Sequence, residues 1–189
     1  MSAPGAATLA AVALAAIADT PPLVNVCWDY GCDRSERLVL PASDWRAIRA
    51  LFEPAPRGPG AERKRIAAAI ARFEAAVGAR TGTDRDRRGN FAGAGEPGQL
   101  DCIDESRNTT GYLRILADRD LLRWHGVGER RRRAKWIFDV HWTAVLVEHG
   151  SGRRWAVDSW YLGNGERPYI QRLPAWHDKA ELPPNPDAP

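Results

Sequence analysis

Cys102, in the stretch GQLDCIDESRNTTGYLRIL, sits among the carboxylates of Asp101, Asp104 and Glu105. A cysteine attacks as its thiolate, and neighbouring carboxylates oppose that ionisation, so Cys102 needs a cationic partner, most simply an imidazolium. Four histidines are available: His125, His141, His149 and His177. His149 falls in a turn, His177 near the tail, and His125 beside Gly126 in a connector. His141 alone lies inside a strand-like run, FDVHWTAV, where the backbone would fix its ring. Asp158, in RWAVDSW, completes a set of thiol, imidazole and carboxylate in chain order. In such a triad the imidazole takes the thiol proton and later protonates the leaving group. The carboxylate holds the imidazole tautomer.

Three elements must position these groups. Asp101 before a helix and Asp104 three residues later form an acidic analogue of a capping box, which predicts a helix from Cys102 to about Asp118. Cys102 then occupies the first helical position, where unsatisfied N–H groups and the positive dipole end favour a thiolate. WIFDVHWTAVLVE and RRWAVDSWY are strand-like runs joined by HGSG, a hairpin signal. Pairing residue 149 with 152 sets 143 opposite 158 and 141 opposite 160. Thr143 and Asp158 then share the face of His141, with Asp158 its diagonal neighbour at ~7–8 Å between α-carbons. A slip of one residue would send Asp158 to the other face.

The rest of the chain predicts two more helices and long connectors. LPASDWRAIRALFEP reads as a helix from about Asp44 to Phe52, capped by Ser43 and ended by Pro54. GAERKRIAAAIARFEAAVGARTG carries Ile66, Ile70, Phe73 and Val77 as one stripe, with Gly78 as terminator. Residues 79–98 have no apolar period and read as a loop, in which Arg85, Arg87 and Arg88 cancel the charge of Asp84 and Asp86. Arg130 to Arg133 form a basic run before a strand, either a solvated loop or a docking patch for an acidic polypeptide or phospholipid headgroups. Helices first, then an antiparallel sheet, make an α+β fold.

Compartment follows from the first residues and the cysteines. Ala6 to Ala18 is small and apolar, far short of the ~20 residues that span a bilayer. Ala16-Ile17-Ala18 fits signal-peptidase cleavage before Asp19, although no Lys or Arg precedes the run; an Ala-rich core helix is the alternative. Residues 1–18 are thus expected to be an export signal, 19–180 a single domain and 181–189 a disordered tail, in a periplasmic or secreted protein. The net charge of +3 and pI of about 9.0 argue only weakly for an anionic partner. Export and the absence of a recognised binding motif argue against nucleic acid. Of three cysteines, Cys27 and Cys32 flank a short turn at Gly31 and could close a local disulfide. Two reduced thiols or half a metal site are the alternatives. The disulfide leaves Cys102 as the free thiol.

LDCIDES, HWTAVLVE and RWAVDSW, at separations of 39 and 17 residues between Cys102, His141 and Asp158, resemble the bacterial transglutaminase-like cysteine peptidases, within the transglutaminase-like and papain-like superfamily. The resemblance runs from about Gln99 to Trp176. It implies helices packed on an antiparallel sheet, with the nucleophile at a helix N-terminus. Cys102 would be nucleophile, His141 general base and Asp158 the orienting acid. The best-known members are calcium-dependent periplasmic proteases that clip adhesins. Asp101 matches their calcium pattern and Asp104 could assist, but Ile103 replaces the usual acid after the cysteine, so no cofactor is required by this reading. The Cys102 backbone N–H and the Gln99 amide are candidate oxyanion donors. Trp142 and Trp160 would either wall the cleft or pack the core. The function implied is hydrolysis of a peptide or isopeptide bond in a protein or peptide substrate. Acyl transfer to an amine, and a non-catalytic binding or assembly role centred on Arg130 to Arg133, are the alternatives.

Overall fold

A computed structural model of the chain describes residues 19–90, 92–134 and 140–182. The expected export signal and most of the expected disordered tail lie outside the described residues. The fold is mixed α+β with antiparallel sheets. Strands β1 (Leu23–Trp28) and β2 (Arg34–Val39) form a hairpin that precedes the helices, so the helices-first order is corrected. Helices α1 (Ala42–Ala50), α2 (Pro59–Thr81) and α3 (Cys102–Asp118) follow. Then come strands β3 (His125–Ala134), β4 (Val140–Glu148), β5 (Arg154–Asp158) and β6 (Tyr169–Arg172), and a short helix α4 (Leu173–His177). The four strands form one antiparallel sheet in the order β3-β4-β5-β6.

Helix α3 lies against β4 and the β1 hairpin, and α2 packs on α1 and α3. Their apolar faces meet the sheet in one core that includes Trp45, Ile48, Ile66, Ile70, Phe73, Leu113, Leu116, Leu146 and Val157. The Ile66-Ile70-Phe73-Val77 stripe of α2 is fully inside it, as its helical spacing requires. Among the described residues no helix is long and apolar enough to cross a membrane.

Several local expectations are corrected. Helix α1 starts at Ala42 behind Pro41, and Ser43 is not its cap. Gly78 does not end α2. It is buried within the helix because a Cβ there would lie 2.8 Å from Asn164 Oδ1 and 2.9 Å from the Asp84 amide, and Gly82, at φ +80°, is the left-handed cap. The stretch expected as a loop from residue 79 therefore starts with the last helical turn and a 3₁₀ turn, Thr83–Arg85. Arg130 to Arg133 lie in β3, not in a loop. His125 opens the same strand. It is fully buried, with Nδ1 2.9 Å from Glu62, whose carboxylate also accepts the Arg123 and Trp124 amides. That histidine pins α2 to the sheet.

The hairpin register is the one the alternation predicts: Ala144 opposes Val157 and Val145 opposes Ala156. The pairing of β3 with β4 contains a shift between Gly128 and Arg131. In the register before the shift, Arg132 would oppose His141; after it, Arg133 does.

Candidate active site

Helix α3 begins at Cys102 behind a reciprocal cap. Asp101 Oδ1 accepts the Ile103 and Asp104 amides at 2.9 Å each, and Asp104 Oδ2 accepts the Asp101 amide at 3.2 Å. The same carboxylates hold the N-terminal turn: Asp101 accepts the Gly31 amide, and Asp104 accepts those of Tyr30 and Cys32. Cys27 and Cys32 form a disulfide across that turn, with α-carbons 4.9 Å apart. The thiol of Cys102 is the free one, and it is partly exposed.

His141 lies between the other two groups. Its Nε2 is 2.8 Å from Asp158 Oδ2, and Asp158 also accepts the Trp176 indole N–H at 2.7 Å. Cys102 lines the same cleft as the imidazole, its sulfur 4.0 Å from the carbonyl of the neighbouring Val140, and with Nε2 engaged by Asp158 the nitrogen left to face it is Nδ1. Burial works to lower the His141 pKa, but the hydrogen bonds and charges of Asp158 and Cys102 overcome it and raise it to about 9. Trp160, Tyr161 and Trp176 surround the ring at 5.0, 5.2 and 5.8 Å between centroids. Cys102 and His141 open into a cleft of about 530 Å³, walled also by Tyr30, Asn90, Trp160 and Leu182.

The three residues read as a triad are therefore adjacent, and the other expected site residues are placed differently. Gln99 is buried and does not line the cleft. Its Nε2 donates to the Arg85 carbonyl at 2.9 Å, and its Oε1 accepts from Asn90 and from the Arg87 amide. Its amide is spent on holding the 85–90 loop, which corrects its assignment as an oxyanion donor. Asp101 and Asp104 do not fit a calcium site, because every carboxylate oxygen already accepts a backbone N–H, a donor that repels a cation. The cluster of Cys27, Cys32 and Asp104 is no better, since both sulfurs are consumed by the disulfide. Trp142 lies under the Arg130 guanidinium at 4.9 Å, whereas Trp160 walls the cleft.

Trp176, Tyr161 and Arg133 belong to the site and were not singled out for it from the sequence. Trp176 carries a signal in hindsight, a lone Trp in a Pro-punctuated segment just after a strand. Below the site lie further carboxylates. Burial raises Glu74 to about 8 and Asp86 to about 7, and raises Glu105 as well. Asp86 Oδ1 accepts the Leu100 amide at 2.8 Å and so anchors the residues leading to Cys102. Comparison with protein-family models, curated proteins and solved structures finds no match for this chain.

Proposed function

We propose that the protein is an exported thiol hydrolase of the transglutaminase-like type, cleaving a peptide or isopeptide bond through Cys102, His141 and Asp158. The observation that carries this reading is the placement of His141, with Nε2 on a buried carboxylate and its ring lining the same cleft as the only free thiol among the described residues. A structural histidine needs no such arrangement; His125, fully buried on Glu62, turns its other nitrogen to the Arg63 guanidinium at 3.2 Å.

The chemistry follows from these positions. The Cys102 sulfur attacks the acyl carbon while its proton rests on His141, giving a tetrahedral oxyanion. At the first turn of α3, Asp101 occupies the Ile103 and Asp104 amides, and the Cys102 N–H, which has no intrahelical acceptor, is free to bind that oxyanion. Collapse breaks the scissile bond, and His141 passes its proton to the departing amine. Water, deprotonated by His141, then attacks the thioester, releasing the acid and restoring the thiol. Asp158, held by the Trp176 indole, keeps the ring oriented throughout. Export is supported by the apolar opening run and by the disulfide.

The test is alkylation by iodoacetamide at pH 6. The native protein should react at Cys102 at least about tenfold faster than the urea-unfolded chain, and His141→Asn should remove the excess. Equal rates in native, unfolded and His141→Asn protein would overturn the reading.

A further inference from the structure

Arg133 is only 5% exposed, yet it lines the same cleft as Cys102 and His141. The register shift in β3 places it directly across the ladder from His141. Its guanidinium lies 4.5 Å from the Trp176 ring, donates from Nη1 to the Trp176 carbonyl, and donates from Nη2 to the Tyr161 hydroxyl at 2.5 Å. Both acceptors are neutral. Its Nε is buried without a partner, and among the described residues no carboxylate forms an ion pair with the group. A buried cation without a counter-ion is costly. A purely structural role in holding Trp176 explains two hydrogen bonds and leaves the Nε–H without an acceptor and the guanidinium without a directly paired carboxylate among the described residues. Among the described residues Asp101 is the one carboxylate lining the cleft, and it is committed to the α3 cap and to Gly31.

We infer that Arg133 forms a carboxylate-binding subsite of this cleft, so that the acyl substrate carries a carboxylate beside the bond that Cys102 attacks. The carboxylate comes either from an Asp or Glu side chain or from a free peptide C-terminus. A guanidinium is a planar fork that matches a carboxylate, and the low polarity of the aromatic surroundings strengthens the pairing. This rests on the hydrolase reading for the position of the scissile bond, but the binding itself needs no turnover.

The experiment uses the full chain carrying Cys102→Ala and four peptides: acetyl-pentaalanine as the amide, the same peptide with a free C-terminus, and amidated acetyl peptides with Glu or Gln at the central position. Titrations are followed by tryptophan fluorescence. At least one carboxylate peptide should bind about tenfold or more tighter than its neutral counterpart. Which one does distinguishes the side chain from the C-terminus. Adding Arg133→Gln should abolish the preference, and Arg133→Lys should keep part of it. If the Gln variant does not fold, the Arg133 Nε–H resonance of the Cys102→Ala protein should shift with the preferred carboxylate peptide and not with the neutral ones. Equal binding of all four, no binding at millimolar peptide, or a preference that survives Arg133→Gln would overturn the subsite. Failure of the wild type to react at Cys102 with the preference intact would sink the hydrolase reading alone.

Discussion

At Asp158, one carboxylate oxygen accepts both the His141 imidazole and the Trp176 indole N–H. Losing either bond should therefore loosen the same ring. Asp158→Asn presents the wrong partner to the imidazole and should lower kcat by about three to four orders of magnitude, measured on any peptide the wild type cleaves. Trp176→Phe keeps the packing and removes one hydrogen bond to a charged acceptor, so a loss of about tenfold is expected. The pH–rate profile gives the sign of the pairing. Because Asp158 and Cys102 raise the imidazole to about 9, activity should fall as pH rises through that value, and the descending limb should move to lower pH in Asp158→Asn. A limb that does not move would show that Asp158 does not tune His141.

The elements bring these groups together by devices of unequal visibility. The cap at Asp101 and Asp104 was legible because capping chemistry is local, and it set the start of α3 at Cys102. Alternation across a four-residue turn was enough to place His141 and Asp158 on one face. Arg133 was not legible in this way, since a run of four arginines reads as solvated and only the shift after Gly128 decides which one turns inward. Gln99 failed because its partners come from a loop, where no period shows what a side chain meets. The cap also ties α3 to the N-terminal turn, so Asp101→Ala should cost about 1–2 kcal/mol in urea unfolding. Removing the short-loop disulfide as Cys27→Ser with Cys32→Ser should cost about 2 kcal/mol, with the Cys102 alkylation rate falling as the turn loosens. No change in either variant would mean that the turn does not brace the helix start.

For the whole molecule, the buried titratable groups beneath the cleft give stability a direction with pH. Glu74 at about 8 and Asp86 at about 7 are raised by burial, and His141 at about 9 is raised by its partners against burial. Each binds its proton more tightly in the native state than in the unfolded chain. That stabilisation is complete below the ordinary carboxylate and imidazole ranges and is lost as pH rises through 7 to 9. The Tm should therefore fall steadily from pH 5 to pH 9. Glu74→Gln should flatten the part of the slope below pH 8, by an amount on the order of a few kcal/mol at most. Glu62 acts in the opposite sense. Burial would raise it, but His125 and the Arg123 and Trp124 amides lower it, so its contribution is lost only in acid. A Tm that rises from pH 5 to pH 9 would contradict this assignment of buried protons.

The central claim is that one imidazole is shared between a sulfur and a carboxylate. NMR titration of the His141 ring in the wild type and in Cys102→Ala tests it most directly. The ring should keep its second proton up to about pH 9 in the wild type and lose it at distinctly lower pH in the variant. Titration near 6.5 in both proteins would contradict the account.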